Sequence, residues 1–105
     1  AVGEVLKPAA RATMLRWMGN TQTGPQRLRA GLPVDWAIGH KTGTAIGRGL
    51  ANKYNDVAVA FPPGRAAVAI SAYYDGPGYF QELRDVDQAV LAEVGRIAAA
   101  WVMAR

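Results

Sequence analysis

Between Glu4 and Met18 the apolar residues Val5, Ala9, Ala12, Leu15 and Met18 recur at helical spacing. Pro8 is tolerable only near a helix start and Gly19-Asn20 is a stop signal, so the pattern predicts a helix over 4–18. A polar stretch, Thr21 to Gly24, leads into Pro25-Gln26-Arg27-Leu28-Arg29-Ala30 with Gly31 just past its end. Pro at a first helical position and Gly after a last one predict a short helix over 25–30 that carries Arg27. From 34 to 44 the chain mixes Trp36, Ile38 and Thr42 with small residues. It reads as a strand whose Gly39 and Gly43 mark close approach of backbone or ligand. A glycine-containing loop follows. Then Val57, Val59 and Phe61 alternate with Ala58 and Ala60, Pro62-Pro63-Gly64-Arg65 forms a tight turn, and Val68, Ile70, Ala72 and Tyr74 alternate again. This predicts a hairpin of strands 55–61 and 66–74. Beyond Asp75-Gly76-Pro77-Gly78, a stripe of Leu83, Val86, Val90, Val94, Ile97, Trp101 and Val102 predicts an amphipathic helix over 80–103.

Helix, short helix, three strands and helix make an α+β arrangement, an antiparallel sheet with a long C-terminal helix packed on it, in a single domain over 1–105. One face of the sheet is then unaccounted for. Ala67, Ala69, Ser71 and Tyr73 need a second cover that the terminal helix does not supply. Either the opening helix folds back, or a partner completes the core.

Composition narrows the chemistry. The 105 residues suit one modest core, and 50% hydrophobic against 19% charged residues excludes disorder. The net charge of +4 is spread over separate segments, not gathered into a basic stripe, so no nucleic-acid partner is expected. Without cysteine, and with His40 the sole histidine, neither a thiolate nor a histidine-cluster metal site can form. No apolar run approaches the length of a membrane span, and Ala1 to Leu6 lacks an export-signal pattern, so any signal is expected upstream. Trp17, Trp36 and Trp101 occupy apolar positions and are expected in the core.

The tetrapeptide Lys41-Thr42-Gly43-Thr44 puts an ammonium, a hydroxyl and a side-chain-free backbone on one strand, a combination suited to a bound carboxylate. Alternation sends Lys41 and Thr42 to opposite faces, so both serve one site only on an edge strand with the ligand beside it. Around it stand Thr23-Gly24-Pro25-Gln26-Arg27-Leu28, Trp36-Ala37-Ile38-Gly39-His40, Asn55-Asp56 and Pro62-Pro63-Gly64-Arg65. With these motifs in order, the chain resembles, essentially end to end, the C-terminal part of a class A serine β-lactamase. His40, where most members have aspartate, and the long connection from Ala45 to Tyr54 make it similar to the extended subgroup that includes PER-type enzymes.

The resemblance implies a catalytic Lys41 that neutralises the β-lactam carboxylate and supports proton transfer, and a Thr42 that hydrogen-bonds that carboxylate. It also implies that Thr44 gives an oxyanion-hole N–H and accepts the substrate amide, that Gly43 keeps the strand open, and that Arg27 reaches the carboxylate from beside the strand. His40 is expected to be structural, and Asn55-Asp56 a turn or buried anchor. The family's S-x-x-K, S-D-N and deacylating glutamate do not occur here, and Ser71, the sole serine, is followed three positions on by Tyr74. The expectation is therefore one wall of a periplasmic or secreted enzyme's site, with no metal or cofactor, completed by a missing N-terminal part. Alone, the chain is expected to be inactive and to self-associate. A D,D-peptidase-like paralogue and a non-catalytic binding module are the alternatives.

Overall fold

The computed structural model describes residues 5–105, so the predicted start of the first helix at Glu4 lies outside the described residues. The elements run α1 (Pro8–Gly19), α2 (Leu28–Gly31), β1 (Ala37–Ala45), β2 (Lys53–Phe61), β3 (Val68–Asp75) and α3 (Asp85–Met103). Every predicted element is present, with shifted ends. Pro8 begins α1 itself, as a proline lacking its N–H should. The short helix starts three residues later than the Pro25 signal implied: Pro25 sits in a turn and Arg27 is the residue capping α2. Trp36 lies in the turn before β1.

The sheet is antiparallel in the order β1-β2-β3, with His40 opposite Ala58, Thr42 opposite Asp56, and Asp56 opposite Ala72. Strand alternation then sorts the side chains. Ile38, His40, Thr42 and Thr44 of β1 share a face with Tyr54, Asp56, Ala58 and Ala60 of β2 and with Ile70, Ala72 and Tyr74 of β3. This face carries the core, in which Leu28, Leu32, Trp36 and Leu91 also bury.

On α3 the buried positions are Asp87, Gln88, Leu91, Gly95, Ala99 and Val102. The predicted stripe is thus rotated: Val86, Ile97 and Trp101 are exposed, and only Val102 is fully buried from that set. The cause is the contact with α2. A Cβ on Gly31 would stand 1.8 Å from the Ala92 carbonyl oxygen, and one on Gly95 would stand 2.4 Å from the Leu28 carbonyl oxygen. Two glycines let the helices touch backbone to backbone, so the inward face of α3 is the one that carries Gly95, with Leu91, Ala99 and Val102 beside it.

The opposite face of the sheet is only partly covered. Helix α1 folds back on β1, where Met18 packs at Gly39, but none of its residues is buried and Trp17 is exposed. Trp17 and Trp101 therefore depart from the core assignment, while Trp36 fulfils it. Ala69, Ser71 and Tyr73 stand open on β3.

Candidate functional site

The Lys41-Thr42-Gly43-Thr44 segment lies in β1, an edge strand of the sheet, with no strand on its outer side among the described residues. Lys41 projects to the α1 face, where its Nζ donates to the Thr42 carbonyl at 2.7 Å. Thr42 and Thr44 project to the opposite face, toward the chain that precedes α2. An edge strand is the one placement that lets both sets meet a single ligand, lying alongside the backbone.

That preceding chain is held against β1 by a tight turn. Gly24 has φ of 68°, and a Cβ there would stand 2.2 Å from Thr42 Cγ2. Only glycine fits both the backbone conformation and the gap. The turn brings the Thr23 hydroxyl to 3.0 Å from the Thr42 hydroxyl. A shallow cavity of about 490 Å³ opens here, lined by Thr23, Gly24, Gln26, Arg27, Thr42 and Thr44 among others.

Arg27 lies beneath this cavity, 2% exposed. Its guanidinium donates to the Gly43 carbonyl at 3.1 Å, the Asn55 carbonyl at 3.0 Å, Thr44 Oγ1 at 2.8 Å and Gln88 Oε1 at 3.2 Å, and stacks over the Tyr54 ring at 5.4 Å. Burial lowers its pKa, while Asp56 and Tyr54 act the other way. A guanidinium has five N–H donors in a rigid fork, and here the fork spans β1, β2 and α3 at once. Arg27 is thus no solvated helix charge. It is a buried cation that ties the Gly43–Thr44 backbone to the rest of the molecule.

Asp56 anchors the same turn from below: its Oδ2 accepts the Leu28 N–H at 3.1 Å. Its Oδ1 faces His40 Nδ1 at 3.6 Å, and both side chains are essentially inaccessible. Burial pushes the Asp56 carboxyl up from its ordinary value, opposed by His40, the Leu28 N–H and Arg27. Burial likewise holds His40 below the usual imidazole value, against the pull of Asp56 and with the help of Arg29 and Lys41. Asp56 is the buried anchor expected of Asn55-Asp56, and His40 is buried against it.

The sequence singled out Lys41, Thr42, Gly43, Thr44 and Arg27, and the fold gathers all five at the outer edge of β1 or directly under it. It did not single out Gln88, which lies on the polar first turns of α3, or assign a part to Thr23, although Thr23-Gly24 was visible as a motif. Ser71 is on the far edge strand, level with Val57 and through it with Lys41. Two inter-strand spacings, roughly 10 Å, separate Ser71 from Lys41, so the sole serine is no part of this cluster.

A family model described as "Beta-lactamase enzyme family" matches residues 1–102. Among curated proteins, the chain is 41% identical over 97 residues to Beta-lactamase AST-1 of Nocardia asteroides, covering 91% of this chain and 29% of that protein. It is 35% identical over 97 residues to the Carbapenem-hydrolyzing beta-lactamase KPC of Klebsiella oxytoca, covering 92% and 31%. Among solved structures, a beta lactamase from Burkholderia vietnamiensis superposes with a TM-score of 0.82 at 35% identity, over 97% of this chain and 35% of that one. An ancestral class A beta-lactamase does so with a TM-score of 0.79 at 41% identity, over 95% and 36%. The chain spans about a third of the length of the relatives it matches.

Proposed function

The chain belongs to the class A beta-lactamase family, and from that premise we propose that it forms the carboxylate-binding and oxyanion wall of a β-lactam-hydrolysing serine enzyme. The observation that carries this reading is the buried Arg27 fork under an open edge strand. Because Thr44 Oγ1 accepts from Arg27, its own hydroxyl proton remains to be donated to a ligand acceptor. The buried cation also raises the positive potential under Thr42 and Thr44, where a β-lactam carboxylate docks. Arg27, which lines the cavity beside the strand, acts on that carboxylate through Thr44 and through its field.

On the outer side, the Lys41 ammonium completes the anion site and supports proton transfer. The Thr44 N–H stabilises the oxyanion that forms when a serine oxygen attacks the lactam carbonyl; the C–N bond then breaks and the ring nitrogen takes up a proton. Gly43 leaves room for the acyl portion to lie along the strand. This route calls for no metal or organic cofactor.

The attacking serine and its base come from a part of the protein outside this chain, which also covers the open sheet face. The complete protein works outside the cytoplasm, where β-lactams meet their targets; no described helix is long and apolar enough to cross a membrane. Binding donors without a nucleophile form no acyl-enzyme, so the isolated chain is silent. A chromogenic cephalosporin tests this. The chain alone should give no turnover above buffer, and reuniting it with the remainder of its protein should restore hydrolysis. Serine-dependent turnover by the chain alone would overturn the reading.

A further inference from the structure

Among the described residues, His40 Nδ1 and Asp56 Oδ1 are the buried side-chain polar atoms left without a hydrogen-bond partner. They face each other at 3.6 Å. Leaving two such atoms unpaired is costly, and each is the other's nearest remedy, so a proton between them satisfies both.

Asp56 Oδ2 already accepts the Leu28 N–H, and Leu28 directly follows Arg27. A carboxylate accepts from both sides; a protonated carboxyl gives up part of that capacity and removes the negative charge nearest to Arg27. The buried group is electrically balanced when Arg27 is cationic, Asp56 anionic and His40 neutral. We propose that His40 and Asp56 are a positioning pair: a neutral His40, with its proton on Nδ1, donates to Asp56 and keeps it ionised. The carboxylate in turn fixes the Leu28 turn that aims the Arg27 fork at Gly43 and Thr44. The pair touches no substrate. It sets the pose of a residue that does its work through Thr44, and in that respect the inference rests on the site reading above.

The charged and titratable groups around the pair are Arg27 ahead of α2, Arg29 on α2, Lys41 on β1 and Tyr54 on β2. Helix α3 brings neutral Gln88 to Arg27 and Asp87 to Tyr54. No second acid faces His40, so Asp56 is its sole anionic partner in this set.

Nitrogen-15 NMR of the His40 ring in the unaltered protein decides the first half. The Nδ1-protonated neutral tautomer is expected near neutral pH; the Nε2-protonated tautomer would overturn the proposal. Solvent exchange of the Arg27 Nε–H decides the second half, without reference to activity. His40→Asn keeps a neutral N–H donor near the Nδ1 position and should leave this proton protected, whereas His40→Leu should speed its exchange tenfold or more. His40→Asp sets two carboxylates against each other, so protection should survive at acid pH, where one proton is shared, and fail as pH rises. Equal exchange in the folded His40→Leu variant and the unaltered protein would reduce the pair to packing. If His40→Leu does not fold, the tautomer and the pH dependence of His40→Asp still decide. Loss of the pair's effect on exchange sinks this inference alone, while absence of β-lactam hydrolysis in the complete protein sinks the site reading.

Discussion

Arg27 shows how a residue can be read correctly for its place and incompletely for its part. The T-G-x-x-R-L motif identified it, but its four acceptors come from β1, β2 and α3, and only the tertiary register reveals them. Lysine at this position has a point charge and no fork. Arg27→Lys should therefore leave buried carbonyls of Gly43 and Asn55 imperfectly paired and cost about 2–4 kcal/mol, read as a lower urea midpoint. His40 was legible only as a structural histidine, because nothing in sequence set its ring against the Asp56 carboxyl. Its depressed pKa has a consequence for stability. Above the ordinary value of 6.5 it is neutral folded or unfolded; below it, the unfolded chain takes up a proton that the folded one resists. Stability should fall as pH drops below that value, and His40→Asn should flatten this segment of the melting-temperature profile.

At the scale of elements, strand alternation was enough to set the hairpin and its faces, because a half-buried strand repeats every two residues whatever packs on it. The phase of α3 was not legible. Its most hydrophobic stripe is not its buried one, since Gly31 and Gly95 bring α2 and α3 into backbone contact. The short helix was misplaced for a related reason: its start is set by the Asp56 bond to Leu28 N–H, a long-range contact, not by Pro25. Gly95→Ala puts these forces in opposition. Intrinsic helix propensity gains up to about 1 kcal/mol, but the new Cβ meets the Leu28 carbonyl oxygen at 2.4 Å. The clash should win, with a net loss of about 1–3 kcal/mol in denaturant melts and a disturbed Arg27 turn.

The molecule as a whole is flatter than a sealed core requires. Its radius of gyration is 14.6 Å and its shortest extent 20 Å, against roughly 13 Å expected for a compact chain of about this length. The second sheet face and the outward side of α3 leave Phe61, Tyr73, Ile97 and Trp101 exposed. Exposed apolar area costs about 25 cal/mol per Å², so the chain by itself should self-associate at micromolar concentration. Light scattering checks this, and a stable monomer would mean that α1 alone is sufficient cover. On the function proposed above, a β-lactam carboxylate docks in the complete protein at the outer edge of β1, between Lys41 and the Arg27–Thr44 pair. The direct measurement is the ratio of kcat/KM for a β-lactam acid to that for its methyl ester, in the unaltered protein and in Lys41→Ala. A charge-assisted bond of about 1.5–3 kcal/mol predicts a preference for the acid of about tenfold or more, largely erased by the substitution. A preference that survives Lys41→Ala intact would mean that the carboxylate docks elsewhere.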